Sequence, residues 1–197
     1  MSQTQQQDTL NRFLFDAASV RGASVQLQDT WQAILSRHDY PAPLKNLLGE
    51  MLAAATLLSA TLKFEGNLIM QLQSKSALKL AVVEYATQLG LRATAKWDGN
   101  LNTLSLHDMI GDGQLVLTLD PRNGGTTYQG IVALEGGSLA QMLENYMQRS
   151  EQLDTHIWLH ADDHAVGGLL LQKMPTTGGK TQNNQDEDLW GRVVQLA

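Results

Sequence analysis

Residues 128–155, YQGIVALEGGSLAQMLENYMQRSEQLDT, place a strand, a two-glycine turn and a capped amphipathic helix in direct succession. Tyr128 to Glu135 reads as extended chain, and Gly136-Gly137 supplies the conformational freedom of a tight turn. Ser138 and Gln141 have the spacing of a capping box, in which the serine oxygen and the glutamine side chain satisfy backbone donors left open by the first helical turn. Leu139, Met142, Leu143 and Tyr146 then take positions i, i+3, i+4 and i+7 of one helical face. A strand feeding a helix with one apolar face calls for a sheet against which that face is buried.

Upstream, Leu44, Leu47, Leu48, Met51, Leu52, Leu58 and Leu62 recur at helical spacing from Pro43 onward, with Ala53, Ala54, Ala55 and Ala60 between them. A helix apolar nearly all round cannot lie on a surface, so it is expected through the centre of the domain with neighbours on several sides. Asp29 and Gln32 resemble a second capping box, opening a short helix in which Trp31, Ile34 and Leu35 share a face and which ends before Pro41. Arg12 to Leu27 reads as two extended segments or a bent strand around Gly22, with a short helix as the alternative. Alternation predicts strands at 67–73, 78–85, 91–97, 114–119, 155–161 and 167–174. Asp98-Gly99, Gly111-Asp112-Gly113, Gly124-Gly125 and Gly167-Gly168 punctuate them. Successive strands without long helices between them favour antiparallel pairing, giving an α+β (mixed) class.

The 197 residues, 43% hydrophobic and 17% charged, suffice for one large core. A formal charge of -6 without a block of Lys or Arg speaks against nucleic acid as a partner. The longest apolar uncharged run, Met51 to Leu62, is twelve residues, short of the ~20 needed for a membrane span. The opening MSQTQQQD has neither a basic leader nor an apolar signal core, so a cytoplasmic address is expected. With no cysteine, the chain carries no disulfide, no thiolate nucleophile and no Cys-type zinc site.

No residue pattern spells out a catalytic site. His156, His160 and His164 are four apart, but Ile157 and Leu159 alternate with His156, Trp158 and His160, so the histidines belong to the outer face of a strand rather than to a metal site. Gly136-Gly137-Ser138 lacks the GxGxxG or P-loop pattern and is explained by the turn. No serine sits in a GxSxG context, and Asp162, Asp163 and the Asp186-Glu187-Asp188 run suit turn and helix-start acids. No cofactor is expected in this chain.

Four tracts, FDAASVRG, HDYPAPLKNLLGEMLAAATLLSATLKFEG, YQGIVALEGGSLAQMLENYMQRSEQL and GGLLLQKMP, resemble in order and spacing the bacterial redox-regulated heat-shock chaperones, the thirty-three-kilodalton holdase family. The resemblance runs from about Leu10 to Pro175. It implies a mixed α/β core with a large, strongly bent sheet packed against the central and the amphipathic helix. It implies a protein that holds unfolding clients without ATP under heat and oxidative stress, active as a homodimer, and not an enzyme. Family members are switched by a C-terminal domain in which four cysteines bind zinc when reduced. Those cysteines are absent here, so zinc and thiol sensing transfer to no residue of this chain, and constitutive activity is expected.

The expected organisation is a polar disordered tail at 1–9, a chaperone core at 10–175, a polar linker at 176–188 and the start of a cut linker helix at 189–197, with the zinc domain lacking. Residues 176–188 contain no apolar side chain, whereas Leu189, Trp190, Val193, Val194 and Leu196 form an amphipathic piece. That piece is expected to fold back on the core and mask part of the client surface. Trp97, Trp158, Trp190 and Val194 are the candidate interaction residues. Two alternatives remain: a small-molecule enzyme on the same scaffold, using the Gly136-Gly137 turn as an anion site in a deep pocket, and an adaptor for one folded partner.

Overall fold

The computed structural model describes residues 8–15, 19–61, 65–86, 90–122, 124–175 and 184–197, with side chains of 184–188 excepted. In chain order the elements are β1 (Thr9–Phe15), β2 (Val20–Leu27), α1 (Asp29–Leu35), α2 (Ala42–Thr61), β3 (Gly66–Gln73), β4 (Leu78–Ala86) and β5 (Gly90–Trp97). There follow α3 (Leu106–Ile110), β6 (Gln114–Pro121), β7 (Tyr128–Val132), α4 (Leu139–Ser150), β8 (Thr155–Ala161), β9 (Val166–Lys173) and α5 (Asn184–Leu196). The class is α+β, as the patterning implies.

The strands form two antiparallel sheets, ordered β1-β2-β9-β8 and β5-β4-β3-β6-β7, rather than the large bent sheet expected. The division follows from α2. Its buried residues, from Leu44 to Thr61, surround the helix, and one sheet can cover only one side of it. The four-stranded sheet contributes Ala23, Val25, Ile157 and Leu170 to the core, and the five-stranded sheet contributes Leu68, Met70, Leu72, Val83 and Leu117. Gly168 permits a close approach: a Cβ there would lie 2.8 Å from Leu57 Cδ1 and 3.3 Å from Ala53 Cβ.

The strand read over 128–135 stops at Val132, because its partner Leu115 is almost the first residue of β6 and the ladder has no further rungs. Helix α4 starts as expected, with Ser138 Oγ accepting from the Gln141 N–H at 3.3 Å. The reciprocal bond reaches one residue further back, to the Gly137 N–H at 2.7 Å.

Helix α1 is capped differently from the expectation. Its N-cap is Gln28, which makes no side-chain cap bond. Asp8 takes that role, accepting from the N–H groups of Gln28, Asp29 and Thr30 at 2.7, 2.9 and 3.1 Å and from the Thr30 hydroxyl. Asp8 and Thr9 are therefore built into the fold, although they fall in the stretch read as a tail; residues 1–7 lie outside the described residues. Likewise α5 begins at Asn184, within the stretch read as linker, where acidic residues suit a first helical turn. Residues 176–183 lie outside the described residues.

Candidate functional site

The chemistry of the four-stranded sheet sits on the face turned away from α2. Strand alternation sends Ala23, Val25, Ile157 and Leu170 inward, and the pairing register then sends the intervening side chains outward. Phe13 lies opposite Gly22, which lies opposite Leu171, which lies opposite His156. Phe15 faces Val20, and Trp158 faces Leu169. An antiparallel sheet usually shows water a polar outer face, so this apolar one demands a cover. Gly22 shapes it: a Cβ there would come within 2.3 Å of Phe13 Cε2, so the phenyl ring lies across the bare backbone. Phe13 and Phe15 meet edge to face with ring centroids 5.5 Å apart.

Helix α5 supplies the cover. Leu189, Trp190 and Val193 pack against Val20 and Leu171, with Phe13 and Leu169 beside them. The Trp190 ring lies 5.6 Å from that of His156, which lies 6.0 Å from Trp158. The cover is partial: Phe15 is 44% exposed, Trp158 36% and Leu196 86%. A cleft of about 280 Å3 remains between the last turn of α5 and Phe13, Phe15, Leu169 and Leu171.

Of the four residues singled out in the sequence, Trp158 and Trp190 meet on this face, bridged by His156. Val194 is half-buried on α5 but is not among the residues seated in the cluster. Trp97 lies elsewhere, at the end of β5, half-buried with its ring 5.8 Å from Tyr40. Phe13, Phe15, Val20, Leu169 and Leu171 escaped the sequence reading. The signal was present in Leu169-Leu170-Leu171, since an apolar run on both faces of a strand means that both faces are covered.

The histidines do not form a metal centre. His156 Nδ1 lies 3.6 Å from Glu144 Oε1 and His160 Nε2 lies 3.7 Å from Asp162 Oδ2, two separate pairs. Among the described residues no three His, Asp or Glu side chains converge as metal ligands. In the Gly136-Gly137 turn the Gly137 N–H is already taken by Gln141 Oε1. No helix among the described residues is long and apolar enough to cross a membrane.

Residues 8–197 match the family model described as Hsp33 protein. The chain is 51% identical over 191 residues to the 33 kDa chaperonin of Methylobacillus flagellatus, covering 96% of this chain and 64% of that protein. Identity is 52% over 191 residues to the 33 kDa chaperonin of Chromobacterium violaceum, covering 96% and 63% respectively. The chain thus spans a little under two thirds of the length of these curated relatives. The crystal structure of the 33 kDa chaperonin from Thermotoga maritima has the same fold, with a TM-score of 0.78 at 18% identity over 96% of this chain and 67% of that one.

Proposed function

Because the chain belongs to the Hsp33 protein family, we propose that it is a chaperone core that holds unfolding proteins, without ATP, on the outer face of its four-stranded sheet. The observation that carries this reading is the apolar face of Phe13, Phe15, Val20, Leu169, Leu171 and Trp158, half covered by one short helix. A large apolar patch on a protein surface generally marks an interaction site. Burying ~800 Å² of apolar area against a client would give roughly 20 kcal/mol gross at ~25 cal/mol/Å². Association and ordering remove about 4–15 kcal/mol of that, so retention benefits from a broad surface and from two subunits acting together. A homodimer in the cytoplasm is the form in which we place this activity, with no catalytic step.

Helix α5 competes with clients for the same face. Thiol- or zinc-dependent control belongs outside these residues, which include no cysteine, so the chain's own activity is independent of oxidant. The test is light scattering of two unrelated heat-unfolding proteins mixed with increasing amounts of the chain, without ATP, under reducing and oxidising conditions. Equal suppression in both conditions is the expected result. Suppression of neither client, dependence on oxidant, or capture of one protein only would overturn the reading, the last in favour of an adaptor.

A further inference from the structure

A second apolar cavity lies between the two sheets, on the opposite side of the four-stranded sheet from α5. It holds about 280 Å3 and is walled by Leu58 from the last turns of α2, by Leu68, Leu117 and Leu119 from the inner face of the five-stranded sheet, and by Met147 and Leu153. Among the described residues one cation, Arg21, and one carboxylate, Glu151, line it. Arg21 alternates with Val20 and Gly22 and so projects to the inner side, where Nε donates to Gln172 Oε1 at 2.8 Å, and Nη2 donates to the same oxygen. Gln172 is fully buried, and its Nε2 donates to Thr155 Oγ1 at 2.8 Å, whose hydroxyl donates to the Leu153 carbonyl at 3.0 Å. This chain of bonds fixes the guanidinium in place. Gln172 is neutral, and Arg21 has no carboxylate partner among the described residues. A guanidinium offers five N–H donors, so most of Arg21's capacity remains for an acceptor.

The remaining polar groups are already matched. Tyr146 donates to Glu151 Oε1 at 3.0 Å, and Tyr128 lies 3.3 Å from both the Tyr146 hydroxyl and that same oxygen. Burial first, and then the bonds to Tyr128 and Glu151, push the Tyr146 hydroxyl well above the usual phenol range, so it stays protonated and is no general base. Glu151 is exposed at the rim of the cavity with its Oε1 engaged by both tyrosines, whereas burial lowers the pKa of Arg21 by desolvating it. The unmet demand in the cavity is thus for an anionic acceptor joined to an apolar body.

We propose that this cavity binds a single-chain alkyl carboxylate, its hydrocarbon among the leucines and its carboxylate on Arg21. Filling the cavity at interior packing density leaves room for a chain of about eight to ten carbons. A carboxylate on a planar guanidinium gains charge-assisted bonds that an alcohol cannot match.

The test is titration of octanoate into the whole chain, followed by NMR of the methyl groups, with 1-octanol and an N-acetylated tripeptide ending in leucine as comparators. Saturable shifts at the Met147 and Leu119 methyls are expected, with octanoate bound at least about tenfold more tightly than 1-octanol. Arg21→Gln removes that margin. Leu119→Trp, which fills the cavity without touching the Arg21 network, abolishes binding and keeps the test decisive should R21Q fail to fold. Equal affinity for octanoate and octanol, shifts concentrated at Leu169 and Leu171 on the outer face, or no saturation would overturn the proposal. Tighter binding of the peptide would also overturn it, assigning the cavity to a polypeptide C-terminus. None of these outcomes bears on aggregation suppression, so the outer-face reading stands or falls separately.

Discussion

Replacing Trp190 with alanine should loosen α5 and uncover the outer face without unfolding the core. An isolated helix of this length is marginal in water, so α5 depends on docking. Leu189, Trp190 and Val193 are each half-buried in that contact. Full burial of such a side chain is worth about 1.5–3 kcal/mol, so the three together supply roughly 3–4 kcal/mol. Truncating a core tryptophan costs about 3–5 kcal/mol, and half that, roughly 2 kcal/mol, is a fair share for Trp190. A loss of that size raises the undocked population by about thirtyfold. Amide hydrogen exchange reads the change directly: exchange in the second half of α5 should accelerate by a similar factor, with amides of α2 and α4 unaffected. Binding of an apolar dye should rise as Phe13, Val20 and Leu171 become accessible. Unchanged exchange in α5 would refute the docking energetics, and reduced dye binding would mean that Trp190 is itself the contact surface rather than part of its cover.

Three further outcomes follow from the packing. Gly168→Ala, whose Cβ would press on Leu57 and Ala53, should cost about 1–3 kcal/mol and lower Tm by several degrees; an unchanged Tm would mean that α2 can slide off the sheet. Asp8→Ala removes the acceptor for the backbone N–H groups of the N-cap Gln28 and of Asp29 and Thr30 in α1, and should cost about 1–2 kcal/mol, with faster exchange at these three as its local signature. Burial raises the pKa of Glu50, with an opposing but smaller pull from His160, so its favourable contribution exists at low pH and is lost as pH rises through the folded pKa. Glu50→Gln should therefore match the parent near pH 3 and be more stable at pH 7, measured by denaturant unfolding; equal stability at both would place Glu50 in water.

Helices α2 and α4 were legible in the sequence because local spacing determines them: α2 by its all-round apolar pattern and α4 by Ser138 and Gln141. Strand positions were legible for the same reason, since alternation is a property of neighbours. Strand partners were not, because β2 pairs with β9 across most of the chain and nothing in either segment names the other. The Asp8 cap failed to show for the same cause: it joins residues twenty apart, while Asp29 and Gln32 imitate a local box. Helix α3 carries a true capping box, Ser105 with Asp108, but it is too short to have an apolar period. Trp158 was chosen as a large aromatic, and Trp190 also as part of the amphipathic piece expected to fold back on the core. That they meet depends on α5 crossing the sheet at His156, a matter of tertiary packing.

In the proposed function, clients occupy the outer face of the four-stranded sheet. Photo-reactive side chains placed singly at Phe15, Trp158 and, as the control on the other sheet, Ile131, which is 62% exposed, would be irradiated in the presence of a heat-unfolding protein. Crosslinks from positions 15 and 158 but not from 131, increasing when Trp190→Ala is combined with them, are the expected result. Crosslinks of equal yield from 131, or none from 15 and 158 while aggregation is still suppressed, would contradict it.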